Sequence, residues 1–333
     1  MTRKFAICAL FFAYFCGRAQ PAFAACTGLT PCFDANSLWL PAGHSEFLSL
    51  PDTRTDAPGQ LSFGAAAELL HGPVTGHVSS PDSGGRDVHV VDYAQDLSLS
   101  FALGLVERLE LTATLPARLY QNGAGAGGLD SQSASSVAPT VLRDPRLALA
   151  YSFDDLLRMP ELGARAALEA SLPFGDEAAF AGERGVVLAP SLTFGARFER
   201  VATRLELGAR LRESSDYGDV HFGDQGLIAL GVGGDVFTRG LLFVSVEAFA
   251  LPPLGSNRAP TASSTLTAER WFPAEWLLAA STTFRPHGQW QLSASFGTGL
   301  PFSSETRAGA SEEFLAVTTP AWRSVLSLHF APQ

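Results

Sequence analysis

Along this chain, strand-length stretches of alternating apolar and polar residues are joined by connections that are in turn very short and long. In the clearest pair, Leu97, Leu99, Phe101, Leu103 and Leu105 share one face of a strand. After a tight turn, Leu109, Leu111, Ala113, Leu115, Ala117 and Leu119 continue that face, and Glu110, Thr112, Thr114, Arg118 and Tyr120 occupy the other. A soluble sandwich also alternates with period two, so the alternation alone does not set the class. Strict alternation of short and long connections is the pattern of an outer-membrane barrel, whose turns on one side are short and whose loops on the other are long. The expected fold is all-β, a transmembrane antiparallel up-and-down β-barrel of about twelve strands.

The N-terminus agrees with export. Thr2-Arg3-Lys4 is a basic start, Phe5 to Phe15 an apolar core and Ala22-Phe23-Ala24 a small-x-small cleavage site, so residues 1–25 read as a signal peptide. That apolar core is too short to span a bilayer, and no later segment offers the roughly 20 apolar residues a helix needs. Crossing therefore falls to strands, which must close into a barrel because an open edge in hydrocarbon leaves backbone groups unpaired. Cys8 and Cys16 leave with the signal. Cys26 and Cys32 then read as a small loop disulfide in an oxidising compartment, with a lipid-attachment site at Phe23-Ala24-Ala25-Cys26 as the alternative. The formal charge is −10 and Lys4 is the only lysine. With no basic run to neutralise phosphates, nucleic acid is excluded as a partner.

Residues 26–60, rich in Pro and Asp and without sustained alternation, are expected as a periplasmic leader at the barrel mouth, and residues 61–330 as the barrel. Strands are expected at about Leu61 to Leu70 and Val91 to Leu105, with His71 to His89 as a long polar loop between them. Further hairpins turn at Glu199-Arg200, Thr238-Arg239-Gly240 and Pro286-His287-Gly288, and Ala321 to Phe330 closes the series. Gln121 to Arg143 and Pro301 to Thr319 are long, and long connections face the cell exterior.

Two details separate a membrane barrel from a soluble one. Trp276 and Phe284 bracket one strand, Trp290 starts the next, and Trp322 and Phe330 bracket the last, as in interfacial aromatic girdles. Charges keep to the inward parity, and a one-residue slip would place them in lipid, where an Arg at the midplane costs about 2–4 kcal/mol. The lumen-facing charged candidates are Glu110, Arg118, Arg165, Glu169, Arg204, Glu206, Arg210, Glu247 and Arg323.

Several short motifs bear a family likeness: the hairpin end Leu115-Pro116, the strand start Asp144-Pro145-Arg146-Leu147, Ser171-Leu172-Pro173-Phe174-Gly175-Asp176, Phe272-Pro273-Ala274-Glu275, and Gly297-Thr298-Gly299-Leu300 followed by Pro320 and Arg323. From about Ser45 to Phe330 the chain resembles the barrel domain of large OmpA-type outer-membrane proteins of myxobacteria. More loosely, it resembles the transporter-like barrel family associated with phenol-pathway genes. The resemblance implies outer-membrane location rather than a particular substrate. The sequence departs from the large proteins in carrying no Asp-rich calcium-binding repeat or peptidoglycan-binding domain after Phe330, so wall anchoring by such a domain is not expected.

Function has to come from the lumen. Glu110, Glu169, Glu206 and Glu247 would form an acidic ring if strand stagger brought them to one depth, with Arg118, Arg210, Arg212 and Arg323 nearer the outer ends of their strands. The leading expectation is passive passage of small solutes through the outer membrane of a Gram-negative bacterium. A closed structural or surface-display barrel, its lumen filled by paired charges, is the alternative. A barrel lipid hydrolase ranks last, because no Ser, His and acid stand in a legible catalytic arrangement and no Gly-x-Ser-x-Gly elbow occurs near a His. No catalytic residue, cofactor or metal ligand is assigned. The partners expected are outer-membrane lipid, the barrel assembly machinery and the passing solutes.

Overall fold

The computed structural model describes residues 31–78, 85–129, 137–154, 159, 161–217, 220–237, 241–255, 272–284, 290–302 and 314–332. The signal peptide, Cys26 and the turns at 238–240 and 286–288 lie outside these residues. The strands are β1 (Leu61–Val78), β2 (Arg86–Val106), β3 (Leu109–Asn122), β4 (Val141–Leu142), β5 (Arg146–Ser152), β6 (Leu162–Ser171), β7 (Val187–Phe198) and β8 (Val201–Arg210). They continue with β9 (Ser215–Tyr217), β10 (Val220–Phe222), β11 (Gln225–Asp235), β12 (Phe243–Ala250), β13 (Ala274–Phe284), β14 (Trp290–Pro301), β15 (Phe314–Val317) and β16 (Trp322–Pro332).

Twelve of them close into a ring. From β1 the order runs β16, β14, β13, β12, β11, β8, β7, β6, β5, β3 and β2, and β2 pairs back onto β1 along Leu61↔Leu103 to Val78↔Arg86. Every pairing is antiparallel, and each barrel strand lies beside its neighbours in sequence. This is the twelve-stranded antiparallel barrel that the alternation demands, with no free edge. Short turns gather at one end: Arg108 (φ 68°) and Glu199 (φ 51°) take the left-handed conformation that a two-residue hairpin turn requires.

The parity holds along most of the wall, but a bulge after Arg118 turns Tyr120, expected on the inner face, outward and Gln121 inward. Leu61, Phe63, Leu69, Leu99, Leu111, Leu115 and Leu207 are exposed on the outer wall, whereas Glu68, Asp96, Glu110 and Arg118 are buried within. Trp276 and Phe284, then Trp322 and Phe330, stand exposed at opposite ends of β13 and β16. The side chain of Trp290 lies outside the described residues.

Two expectations need correction. The stretch from His71 to His89 is not a loop through most of its length: β1 runs on to Val78 and β2 begins at Arg86. A bulge between His71 and Val74 resets the register, and Val74, Val88, Val90 and Val91 then pack inward on Phe33, Phe180, Tyr217 and Phe222 in an apolar cap at the long-connection end. Phe33 stacks on Phe222 with ring centroids 4.2 Å apart. Nor does the leader lie outside the barrel at its mouth. Asp34 bridges to Ala181 at the long-connection end, and Gly59 N donates to Gly104 O (2.7 Å) at the other. The intervening chain runs down the lumen as an internal plug, and the wall residues described next explain why it is held there.

Candidate functional site

The lumen is built from inward side chains of the wall and the irregular segment from Phe33 to Gln60. At the long-connection end, Arg118 places Nε and Nη2 on both oxygens of Asp96 (2.7 and 3.2 Å) and Nη1 on the carbonyl of Phe180 (2.9 Å). Arg143 joins the same carboxylate through Nη1 (3.0 Å) and donates Nε to Asp34 (2.8 Å). Arg323, fully buried, holds both oxygens of Glu275 through Nε and Nη2 (2.8 and 2.9 Å), and its Nη1 donates to Glu68 (2.9 Å) and to Asn36 of the plug (2.7 Å). Such bidentate pairs fix orientation as well as charge.

Halfway down, the carboxylate of Glu247 accepts four donors: Leu48 N (2.8 Å), Ser49 N (2.7 Å), Ser49 Oγ (2.6 Å) and Ser245 Oγ (2.7 Å). Phe47, Leu48 and Leu50 are buried against Ala202, Ala229, Phe243, Leu277 and Val325 of the wall. Near the short-turn end, Arg204 Nη1 donates to Pro51 O (2.7 Å), and Arg165 bridges Asp52 O (3.1 Å) to Glu110 (3.0 Å). Glu110 in turn accepts Asp56 N (2.8 Å).

The nine sequence-derived candidates thus divide. Glu110, Arg118, Arg165, Arg204, Arg210, Glu247 and Arg323 all touch the plug or a carboxylate that holds it. Glu169 and Glu206, together with Arg165 and Arg210, line a remaining cavity of about 90 Å³ between the plug and the wall of β3, β5 to β8, β11 and β12. The acidic ring does not form, because the plug runs between Glu247 on one side and Glu110, Glu169 and Glu206 on the other. A larger hollow of about 330 Å³, lined by Arg212, His221, Leu251 and Leu254, sits at the long-connection rim.

Sequence reasoning missed the plug residues Asp34, Asn36, Trp39 and Ser49, and also Arg143 and Asp96. It also missed Asp144, whose carboxylate accepts Gly175 N and Glu183 N (2.7 Å each) and fastens the connection after β6 beneath the cap. Burial, with Glu183 and Asp34 nearby, pushes that carboxyl up to about 7. Cys32 is in a disulfide whose partner lies outside the described residues, and its N donates to Glu177 O (3.1 Å).

A glycine shows how closely the wall is cut to its contents. A Cβ on Gly231 of β11 would come within 2.6 Å of Leu50 and 2.7 Å of Phe47. Gly231→Leu is therefore expected to displace Phe47 and Leu50 while leaving the strand ladder intact. Protease cleavage within residues 45–56 of the refolded barrel, with unchanged far-ultraviolet circular dichroism, checks this; equal resistance in both proteins would show the plug to be held some other way.

The closed ring and its occupied lumen define a class, a twelve-stranded β-barrel of the outer-membrane kind with an internal N-terminal segment. No protein-family model matches the chain, and no curated protein is similar to it in sequence. Among solved structures the chain is similar to the COG4313 outer membrane channel from Pseudomonas putida F1, with 15% identity and a TM-score of 0.55 over 84% of this chain and 97% of that one. Lower similarity extends to a Pseudomonas aeruginosa FadL homologue (8% identity, TM-score 0.40, 82% and 90% covered) and to the NanC porin (7%, 0.42, 82% and 99%). At these identities the likeness is one of fold.

Proposed function

We propose that the protein is an outer-membrane channel for small solutes, narrowed by its own N-terminal segment. The observation that carries this reading is the cavity, lined by Arg165, Glu169, Glu206 and Arg210, left between the plug and the wall in a closed barrel whose outer face is apolar. Between its ends, where Ala35 N donates to Phe180 O and Gly59 N to Gly104 O, the plug belongs to no strand of the barrel sheet and is held by side chains of the wall. Structural similarity to an outer membrane channel supports the same reading, and the sequence resemblance to OmpA-type and transporter-like barrels supports its outer-membrane location. On this reading the long connections face the medium, the short turns face the periplasm, and passage is passive rather than coupled to catalysis.

Recording single-channel current from the refolded chain in a planar bilayer tests it. A small steady conductance is expected; a folded but silent barrel would favour a closed scaffold, the reading that the dense buried ion pairs at the outer end support. Orientation is checked separately. Ser214 is exposed at the long-connection end, so Ser214→Cys is expected to react with a membrane-impermeant maleimide on intact cells. Labelling only after the outer membrane is broken would reverse the assignment.

A further inference from the structure

The plug is not held evenly along its length. Toward the long-connection end, Asn36 Nδ2 donates to Asp96 (3.0 Å) and Ser37 Oγ to Thr318 O (2.8 Å), while Ser37 O accepts Arg210 Nη1 (2.9 Å). Toward the short-turn end, the His44 ring meets Ser293 Oγ (3.1 Å) and Gln291 Nε2 (3.0 Å), and Glu46 O accepts the Ser281 hydroxyl (2.9 Å). The bonds of Leu48 N and Ser49 N to Glu247 follow at once. From Trp39 to Gly43, among the described residues, no hydrogen bond reaches the wall. The sequence there offers little to bond with, since Pro41 has no N–H and Gly43 no side chain. What holds this span is softer: Leu40 packs at the edge of the apolar cluster, and the Trp39 ring centre lies 4.1 Å from the Arg210 guanidinium and 4.8 Å from that of Arg146.

The same span has unfilled space on two sides. Trp39, Leu40, Pro41 and Gly43 all border the cavity of about 90 Å³ on the wall of β3, β5 to β8, β11 and β12. Leu40, Pro41 and Gly43 also border a niche of about 40 Å³ on β1, β2, β14 and β16, which the ring order sets across the bore from the first. Ser100, Ser295 and Ser327 line the niche, and their hydroxyls make no hydrogen bond to protein among the described residues. A polar niche of that volume has room for about three waters, and loosely held water yields its place to chain at little cost. The span thus lies between two vacant spaces, fastened at both ends and free in the middle.

We propose that residues 39–43 are a gate within the plug: Trp39 leaves its seat against Arg210 and Arg146, the span moves into the serine-lined niche, and the opposite cavity widens into a passage while both fastened ends stay in place. The assignment rests on reading the lumen as a solute passage, and it supplies that passage with its moving part. The wall takes no part in the motion, because every bond that changes is a contact of the span.

Hydrogen exchange of the full refolded barrel reads the span without requiring flux. The amides of Leu40, Ala42 and Gly43 are expected to exchange about a hundredfold faster than those of Leu48 and Ser49, which Glu247 holds. Ser295→Leu fills the niche and is expected to slow the span about tenfold, whereas Trp39→Leu removes the ring contacts and is expected to hasten it by a similar factor. In single-channel records the wild type is expected to switch between two current levels, the upper one occupied more in Trp39→Leu and less in Ser295→Leu. The wild-type exchange series stands even where a variant does not fold. Exchange at residues 40–43 as slow as at residues 48–49, or a span that does not respond to folded Ser295→Leu, would overturn the gate. Conductance at one fixed level with a slowly exchanging span removes the gate and leaves the channel. A silent barrel whose span exchanges fast and is slowed by Ser295→Leu removes the channel and leaves the moving span.

Discussion

Arg323→Met is expected to lower the unfolding free energy of the refolded barrel by about 3–5 kcal/mol, read from urea midpoints. Arg323 is 0% exposed and, among the described residues, is the cation that holds Glu275, Glu68 and the plug residue Asn36 together. Methionine fills the volume but leaves two carboxylates buried beside each other, and an uncompensated buried charge is the costly outcome of breaking such a pair. Arg197→Met is the matched comparison. Arg197 pairs with Glu46 and Asp235, but its side chain is 37% exposed, so water replaces what the substitution removes. A loss of less than about 1 kcal/mol is expected there. Equal losses at the two positions would mean that the Arg323 cluster is hydrated and that the plug is not anchored through it.

Excising residues 33–56 is expected to raise single-channel conductance on the order of tenfold, because a twelve-stranded barrel emptied of its filling lies between small side-chain-packed barrels and open porins in width. The wall charges that now hold the plug, among them Glu247, Arg118 and Arg204, would then face water, so the ring persists with hydrated charges rather than buried ones. The comparison with Gly231→Leu is informative, since that substitution is expected to dislodge only the Phe47 to Leu50 region. An intermediate conductance in the substituted protein and a large one in the excised protein would map the constriction to the middle of the lumen. Unchanged conductance after excision would place the constriction in the cap at the long-connection end instead.

The wall was legible because a strand in a barrel writes its environment into every second residue: Leu115 is exposed and Glu110 buried because one faces out and the other in. The extensions of β1 and β2 were not legible, because the bulge at His71 to Val74 interrupts the alternation just where the inner face turns apolar. The plug was hidden for a different reason. Its strongest bonds run from its own backbone to side chains of the wall, as Leu48 N and Ser49 N do to Glu247, and backbone donors leave no mark on the segment that carries them. The mark lies on the wall. In register, Glu247 faces Gly231 and Leu277, an acid with no cation beside it and a glycine across from it, which signals that something else must approach. Glu169 and Glu206 were picked out by parity alone, and parity could not say that they, rather than Glu110 and Glu247, line the unfilled space.

The route of the chain imposes an order on its assembly. The segment enters the bore from the long-connection end and becomes the wall only at Leu61, and β1 carries the seam with β16, the last strand made. Before that seam zips, the segment can be laid in sideways; afterwards, everything ahead of Phe33 would have to be reeled lengthwise through a finished ring. A molecule that zips early is a kinetic dead end with a complete wall and an empty bore. On this topology, capture of the segment by Glu247 of β12 is expected to precede closure of the β1–β16 seam.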